Sequence, residues 1–214
     1  MIALSKIIPL TFLSIGIFLL IQVIAPLLSY QVWEIRQNLN SGVLISPNSS
    51  GGGNVLGISV QSKDNFPLFI SSLKRETQAG YKDFSITIPR LKIERAKVEV
   101  DSNDLSDSLA HLPGSALPGE KGNVFISGHS ALSQIFNLKQ ALFASLTDLK
   151  TGDGITIEVG GAKFRYEVAG FKVVDPKDLS VINAPDSLGR YISLMTCVPP
   201  GLNFKRLIVL GKMI

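Results

Sequence analysis

The sequence predicts a mainly β domain preceded by an N-terminal hydrophobic helix, and three observations support this fold class. Short runs of alternating apolar and polar residues, separated by Gly- and Pro-containing turns, fill the chain after residue 83. Only one interior segment, Ser130–Leu146, has the apolar spacing of a helix. The chain is 45% hydrophobic, and much of this hydrophobicity lies near its start. Many short strands with turn residues between them favour a barrel or a sandwich.

The first predicted element is a membrane anchor over residues 1–37. No charged residue occurs from Ile7 to Trp33, and this run exceeds the ~20 apolar residues needed to cross a bilayer. Tyr30 and Trp33 lie at its far end, where aromatic rings favour the interface. A cleaved signal peptide is the alternative, but the run is too long for one and no small-x-small site follows. Lys6, just before this run, favours an N-terminus on the inner side of the membrane. The C-terminal domain would then lie outside the cell.

Residues 38–82 are predicted to be a linker with a short helix near its end. The centre of this segment reads SGVLISPNSSGGGN, which lacks apolar periodicity and is typical of a flexible connection. A short helix is predicted across Phe66–Ala79, since its apolar residues fall on one helical face. Gly80 would end that helix.

The predicted domain of residues 83–214 consists mainly of strands. Pro89 interrupts the first of them, so we expect an edge strand or a bulged strand there. Gly160, Gly161 and Ala162 separate two alternating runs and predict a β-hairpin. The predicted strands are FSITIPRLKI, AKVEVD, NVFIS, GITIEVG, KFRYEVAGFKVV, RYISLMT and KRLIVLG.

Composition excludes several classes of site. The net charge of +4 is mildly basic, but the cationic residues form no cluster, so we expect no nucleic-acid partner. One cysteine permits neither an intramolecular disulfide nor a multi-cysteine zinc site. Two histidines cannot form a three-histidine metal centre. We therefore predict no metal site and a domain stabilised by core packing.

Three residues form the candidate catalytic group: Cys197, His129 and Arg206. Cys197 ends one predicted strand, and Arg206 begins the next one. If these strands pair antiparallel, Arg206 lies level with Cys197. His129 follows its own strand, with Gly128 giving the backbone freedom before it. Three groups at strand ends can converge on one rim of a barrel.

This combination suits acyl transfer. A thiolate is the nucleophile, and a neighbouring cation favours it over the thiol. A histidine can protonate the departing amine, and an arginine can stabilise an oxyanion. The thioester then passes to a second nucleophile. Two alternatives remain: a thiol hydrolase on the same site, and a membrane-tethered binding module whose cysteine is merely a small buried hydrophobe.

An ordered series of motifs resembles the sortase family of cysteine transpeptidases. The family motif T-L-x-T-C is matched by Ser193–Cys197, with serine in place of the first threonine. Arg206 follows nine positions after the cysteine, and the family's Gly-His pair after an apolar strand is matched by Gly128 and His129. HLPGSALPGEKGN, FASLTDLKTGDGITIEVGGAKFRYEV and VVDPKDLSVI also resemble family segments. The resemblance covers roughly Asp83–Gly211.

The resemblance implies a closed eight-stranded sortase-type β-barrel with one or two short helices, preceded by an N-terminal transmembrane helix. Cys197 would attack the Thr–Gly bond of an L-P-x-T-G-like sorting signal. His129 would act as general acid and base, and Arg206 would bind the substrate carbonyl or the oxyanion. Thr196 would contribute to substrate binding. His111 also lies in a family-like segment, but we assign it no catalytic role.

The implied partners are substrate proteins with a C-terminal sorting signal, the membrane, and an amine of a peptidoglycan precursor or a pilin lysine. No cofactor is implied, although some family members use calcium. Two features leave the subclass open. The short spacing between Cys197 and Arg206 resembles pilus-assembling members. The Asp-Pro-aromatic triplet usual in those enzymes does not occur between Tyr30 and Phe84.

Overall fold

The computed structural model of this chain describes residues 4–40, 58–63, 66–71, 79–130, 141–200 and 204–214. The N-terminal helix α1 spans Leu4–Asn40. The chain divides into two compact units between Asn40 and Ser41. In the part of the chain that the structure describes, no helix combines the length and the hydropathy that a membrane crossing requires.

Residues 58–71 contain an antiparallel strand pair, β1 (Ile58–Lys63) and β2 (Phe66–Ser71). The prediction of a helix beginning at Phe66 is therefore wrong for Phe66–Ser71, while residues 72–78 lie outside the described residues. A short apolar run is ambiguous between helix and strand. Here the pairing with β1 decides in favour of the strand, which the aromatic and β-branched residues of FPLFIS also favour.

The closed eight-stranded barrel is confirmed. Its strands follow the order β10-β8-β7-β3-β4-β5-β6-β9 around the barrel. Sequence analysis missed β5, because three residues between two loops give no alternation to detect. The strands are β3 (Asp83–Ile88), β4 (Ile93–Glu99), β5 (Leu109–His111), β6 (Gly122–Ser127), β7 (Gly154–Val159), β8 (Ala162–Val174), β9 (Arg190–Val198) and β10 (Lys205–Met213).

Pro89 ends β3 instead of lying within it. It begins the 3-10 helix Pro89–Leu91, where a missing N–H costs nothing. β3 pairs with both β4 and β7, so it is not an edge strand, although its register shifts between Ile86 and Ile88. The predicted β7–β8 hairpin is confirmed. Gly160 and Gly161 form its turn with φ of 55° and 83°, which favour glycine.

The segment predicted as an interior helix is only partly described. Residues 131–140 lie outside the described residues, and residues 142–145 form turns instead of a helix. Leu146–Asp148 forms one 3-10 turn whose Leu146 is fully buried. A further 3-10 helix, Leu179–Ile182, follows β8, so the short helices in the described part of the barrel are all of the 3-10 type.

The strands β6, β9 and β10 present two buried faces, because successive side chains in a strand alternate. One face is mainly apolar and buried, and it carries Val124, Ile126, Ile192, Leu194, Leu207 and Val209. We call the opposite face the site face, and it carries Phe125, Ser193, Met195, Cys197, Arg206 and Ile208. The candidate nucleophile and arginine are thus built into the sheet.

Ser193 is the serine that replaces the first threonine of the family motif. Its side chain is 1% exposed, and its hydroxyl has no hydrogen-bond partner among the described residues. A buried unsatisfied hydroxyl costs about 1–3 kcal/mol. We expect Ser193→Ala to leave the melting temperature unchanged or raise it by about 2–4 °C.

Thermal unfolding followed by circular dichroism measures this effect. Ser115→Ala is the matched control, because the Ser115 hydroxyl donates to the Leu112 carbonyl at 2.8 Å and accepts from the Phe125 N–H at 3.4 Å. We expect that control to lower the melting temperature. A comparable loss in Ser193→Ala would show that its hydroxyl has a stabilising partner.

Candidate active site

Cys197 and Arg206 lie directly opposite each other. β9 and β10 pair antiparallel, and Arg206 is the register partner of Cys197. Directly opposed residues share one face of a sheet, with Cβ atoms about 5 Å apart. The prediction that Arg206 lies level with Cys197 is confirmed. Both side chains are fully buried, and the Arg206 Nη1 donates to the Lys205 carbonyl at 3.0 Å.

His129 is carried to the same end of β9 by a parallel strand. β6 pairs parallel with β9, and Ser127 is opposite Met195. The alignment continues one residue further, since the Gly128 N–H donates to the Met195 carbonyl at 3.0 Å. His129 comes next and is half-buried. The three sequence-predicted catalytic residues are therefore brought together at adjacent strand ends.

Gly128 is required by space and not by backbone freedom, which differs from the expectation. The φ of Gly128 is not positive, so its backbone conformation does not require glycine. A Cβ at this position would lie 2.6 Å from both Leu109 Cδ2 and Phe143 Cδ2. A side chain here would require Leu109 and Phe143, or the backbone that leads to His129, to shift.

Thr196 lies on the face opposite Cys197, because neighbouring residues in a strand alternate. Its side chain is 2% exposed, and its hydroxyl donates to the Gly128 carbonyl at 3.0 Å. This placement does not support the predicted contact with substrate. Instead, Thr196 fixes the residue that precedes His129.

Burial dominates the electrostatics of the pair. Burial raises the pKa of the Cys197 thiol to about 11, against the opposing effects of the Arg206 charge and a hydrogen bond from Ser130. Burial also lowers the pKa of Arg206. At neutral pH burial therefore favours the protonated thiol. A change that lets solvent or substrate reach the sulfur therefore favours the thiolate.

Leu105 covers the thiol and was missed by sequence analysis. It forms one buried cluster with Ala110 and Cys197, and it is 5% exposed. Ala110 belongs to β5, whereas Leu105 lies in the β4–β5 connection as the only apolar residue of DSNDLSDS. A single leucine in such a polar loop is a signal that could have revealed this contact.

Polar contacts hold the loop of Leu105 in place. The Ser102 N–H donates to the His111 carbonyl at 3.0 Å. The Asp104 carboxylate accepts from the Ser106 N–H at 3.0 Å and from its hydroxyl at 2.6 Å. The Asp104–Ser106 bonds are local and exposed, so this part of the loop can move more easily than β5.

His111 has a structural role in the barrel. It is fully buried in β5, with Nε2 2.9 Å from the Ala116 carbonyl and 2.9 Å from the Ser115 hydroxyl. Nε2 must carry a proton to donate to that carbonyl. The Asp101 N–H then donates to Nδ1 at 3.4 Å. His111 thus ties the start of the covering loop to the barrel.

Comparison with known proteins identifies the family. The Sortase domain model matches residues 86–214, which is more than half of the chain and agrees with the stretch predicted from the motifs. The chain belongs to the sortase family. Sortases are cysteine transpeptidases of the cell envelope, so the alternative of a non-catalytic binding module does not hold for this sortase.

Relatives from several bacteria support the assignment. Sortase D of Bacillus subtilis (strain 168) is 31% identical over 146 residues, which are 66% of this sortase and 68% of that protein. The structure of Sortase A from Corynebacterium diphtheriae, a lid mutant, matches with a TM-score of 0.55 and 34% identity over 65% and 73% of the two chains. The Pilus-related Sortase C of Group B Streptococcus matches with a TM-score of 0.55 and 29% identity over 64% and 69%.

An apolar cluster lies on the site face of this sortase beside the Cys197–Arg206 pair. Val181, from the 3-10 helix after β8, packs into it, and Asn123 Nδ2 fixes that helix by donating to the Ile182 carbonyl at 3.0 Å. Sequence analysis did not identify this cluster. Its buried members are Leu112, Phe125, Val174, Val181, Met195 and Ile208.

The described part of this sortase contains no cluster of side chains that suits a calcium ion. Calcium binding requires several oxygen ligands, usually with carboxylates among them. Among the described residues, no group of three or more Asp, Glu, His or Cys side chains is placed to hold a metal ion. The described side chains therefore do not fit a calcium site.

Leu105→Ala is expected to speed alkylation of Cys197 by iodoacetamide. Removing the apolar cover reduces the burial that raises the thiol pKa. A fall of about one pKa unit increases the thiolate fraction about tenfold below the pKa. Rates are measured by intact-protein mass spectrometry between pH 7 and 9.

Two further variants control this experiment. Leu105→Met keeps an apolar cover and should retain the wild-type rate. Asp104→Ala removes the acceptor that holds the loop and should also speed alkylation. Wild-type rates in both Leu105→Ala and Asp104→Ala would show that this loop does not shield the thiol.

Proposed function

We propose that this sortase cleaves an L-P-x-T-G-like C-terminal sorting signal between threonine and glycine, and transfers the new acyl group to an amine. Cys197 is the nucleophile, His129 the general acid and base, and Arg206 the oxyanion donor. The observation that carries this proposal is the direct register pairing of Cys197 with Arg206, next to a parallel strand that ends at His129.

The reaction proceeds in two balanced steps. The Cys197 thiolate attacks the threonine carbonyl carbon, and the Arg206 guanidinium stabilises the oxyanion. The C–N bond breaks as His129 donates a proton to the leaving glycine amine, which gives a thioester. An acceptor amine then attacks the thioester carbonyl and loses a proton to His129. The thiolate of Cys197 is released.

The apolar cluster beside the pair supports an apolar segment in the signal. Met195 and Ile208 lie on the site face two residues from Cys197 and Arg206, respectively. The partly buried Leu179 and Ile182 pack against this cluster, and they offer the apolar surface that an extended peptide could contact. Leucine and proline of an L-P-x-T-G-like signal suit such a surface.

The acceptor would be an amine of a peptidoglycan precursor or a lysine of a pilin. The structural likeness to the Pilus-related Sortase C of Group B Streptococcus supports the second of these. Both acceptors are primary amines, so the proposed chemistry is the same. A thiol hydrolase would transfer the acyl group to water instead.

Residues 1–37 are proposed to anchor this sortase in the cell membrane once, with the barrel domain outside. The support is the uncharged run from Ile7 to Trp33 and the flanking Lys6. Membrane fractionation of the full chain tests the anchor. Recovery with the membranes after an alkaline wash is expected, and recovery in the supernatant would contradict the anchor.

A quenched fluorescent peptide carrying L-P-x-T-G tests the activity, with and without an added amine such as triglycine. We expect cleavage, and a ligated product by mass spectrometry when the amine is present. Cleavage without ligation would establish hydrolysis. No cleavage of this peptide or of a library varied around it would contradict the proposal. We expect EDTA to leave the rate unchanged, and a calcium-dependent rate would contradict this cofactor-free scheme.

A further inference from the structure

His111 connects the loop over the thiol to the body of the barrel through both of its ring nitrogens. The side chain is fully buried. The Ser115 hydroxyl donates its one proton to the Leu112 carbonyl at 2.8 Å, so at 2.9 Å from Nε2 it can only accept from His111. Nε2 also lies 2.9 Å from the Ala116 carbonyl. Since Nε2 carries the proton, Nδ1 is an acceptor, and it accepts from the Asp101 N–H at 3.4 Å.

The covering loop, residues 100–108, is held at its start by this one residue. Besides the contact between the Asp101 N–H and Nδ1, the Ser102 N–H donates to the His111 carbonyl at 3.0 Å. Asp101 has a φ of 53°, which is uncommon for a residue other than glycine. The ring contact therefore lies at the point where the chain turns from β4 into the covering loop.

The closed position of the covering loop combines a favourable burial with an unfavourable one. Leu105 is 5% exposed and packs with Ala110 and Cys197. Asn103, two residues earlier, has a buried side-chain oxygen with no hydrogen-bond partner among the described residues. A buried unsatisfied oxygen is costly, and release of the loop would return it to water. Loss of one contact at the start of the loop should therefore change how often the loop opens.

We propose that His111 is a positioning residue that holds the covering loop, with Leu105, over Cys197 and thereby limits the access of substrate to the sulfur. This role rests on the proposed function of Cys197 as the nucleophile. His111 lies on the face of β5 opposite Ala110, because neighbouring residues in a strand alternate, so it acts through the loop. If only the open form admits the peptide, the apparent affinity depends on the fraction of open chains.

The test compares His111→Asn with His111→Gln, two amides that each replace one ring nitrogen. The asparagine amide reaches the position of Nδ1 and can accept from the Asp101 N–H, but it leaves the Ala116 carbonyl without this donor. The glutamine amide reaches the position of Nε2 and keeps that donor, but it leaves the Asp101 N–H without this acceptor. We expect the asparagine variant to have the lower melting temperature, because it loses the two shorter contacts.

The rate of Cys197 alkylation by iodoacetamide measures how often the loop opens, because the reagent reaches the sulfur in the open form. We expect His111→Gln to speed alkylation about threefold, the effect of one weak hydrogen bond, and His111→Asn to retain the wild-type rate. Ser115→Ala is the matched control. It removes an acceptor of Nε2 but keeps the Nδ1 contact, so it should also retain the wild-type rate.

Two further measurements test whether His111 acts through Leu105. In the Leu105→Ala background, His111→Gln should add nothing to the alkylation rate, because the cover is already removed. In peptide cleavage, His111→Gln alone should lower KM about threefold with kcat unchanged, because a larger fraction of chains can bind the peptide.

Three alkylation results would each overturn the role of His111: equal rates in the asparagine and glutamine variants, a faster rate in the asparagine variant, or a full effect of glutamine in the Leu105→Ala background. An unchanged KM in His111→Gln, in a chain that cleaves the peptide, would overturn it as well. Alkylation needs no turnover. If the peptide is not cleaved, the proposed function fails, and the alkylation rates still decide for or against His111.

Discussion

Replacing Cys197 with alanine is expected to abolish peptide cleavage and acyl transfer. Without the sulfur no thioester can form, and loss of a covalent nucleophile costs on the order of 10⁶-fold in rate. That loss places the activity below detection in the fluorescent peptide assay. The fold should persist, because alanine removes one atom from a small cluster with Leu105 and Ala110.

Cys197→Ser is the companion variant, since it retains the shape and a weak nucleophile. It should fold with a melting temperature close to that of wild type and show activity near background. Undiminished cleavage in both variants would remove Cys197 from the mechanism. The same would follow from a wild-type level of amine ligation in Cys197→Ala.

Arg206→Met is expected to lower kcat/KM by roughly 10²–10³-fold. Removing one preorganised oxyanion donor has an effect of about this size in acyl-transfer enzymes. Methionine occupies much of the buried volume but supplies neither charge nor donors. Loss of the guanidinium also removes a charge that favours the Cys197 thiolate, so alkylation should slow as well. Arg206→Lys should recover only part of the activity, because an ammonium lacks the planar fork of donors.

Arg190→Met is the matched control for Arg206. Arg190 begins β9, the strand of Cys197, and its Nε donates to the Gly119 carbonyl at 2.8 Å. It lies seven residues from Cys197, about 23 Å along an extended strand. We expect it to retain wild-type cleavage. Equal losses in Arg190→Met and Arg206→Met, each with a folded protein, would show that arginine removal acts through the barrel and not through the oxyanion.

The pairing of Cys197 with Arg206 can be predicted from the sequence. Cys197 and Arg206 belong to two alternating strands joined by a short connection, and antiparallel pairing alone makes them face each other. His129 was identified with its strand, but its approach to Cys197 depends on the parallel β6–β9 pairing, which local patterns do not encode. The series of family motifs is what indicated that His129 and Cys197 belong to one site.

Other features could not be predicted because tertiary contacts decide them. Leu105 lies in a polar loop, and its burial comes from packing against Ala110 and Cys197. Gly128 was interpreted as a flexible position, whereas the limit is set by Leu109 and Phe143. The helix predicted from Phe66 became a strand because β1 is available to pair with it.

A covalent intermediate is the central claim, and intact-protein mass spectrometry after acid quenching tests it most directly. The wild-type chain mixed with an L-P-x-T-G peptide should gain the mass of the peptide up to its threonine. Hydroxylamine should remove this adduct, and peptide mapping should place it on Cys197. An adduct on another residue, an adduct that persists in Cys197→Ala, or product formed with no acyl-enzyme at any quench time would contradict the mechanism.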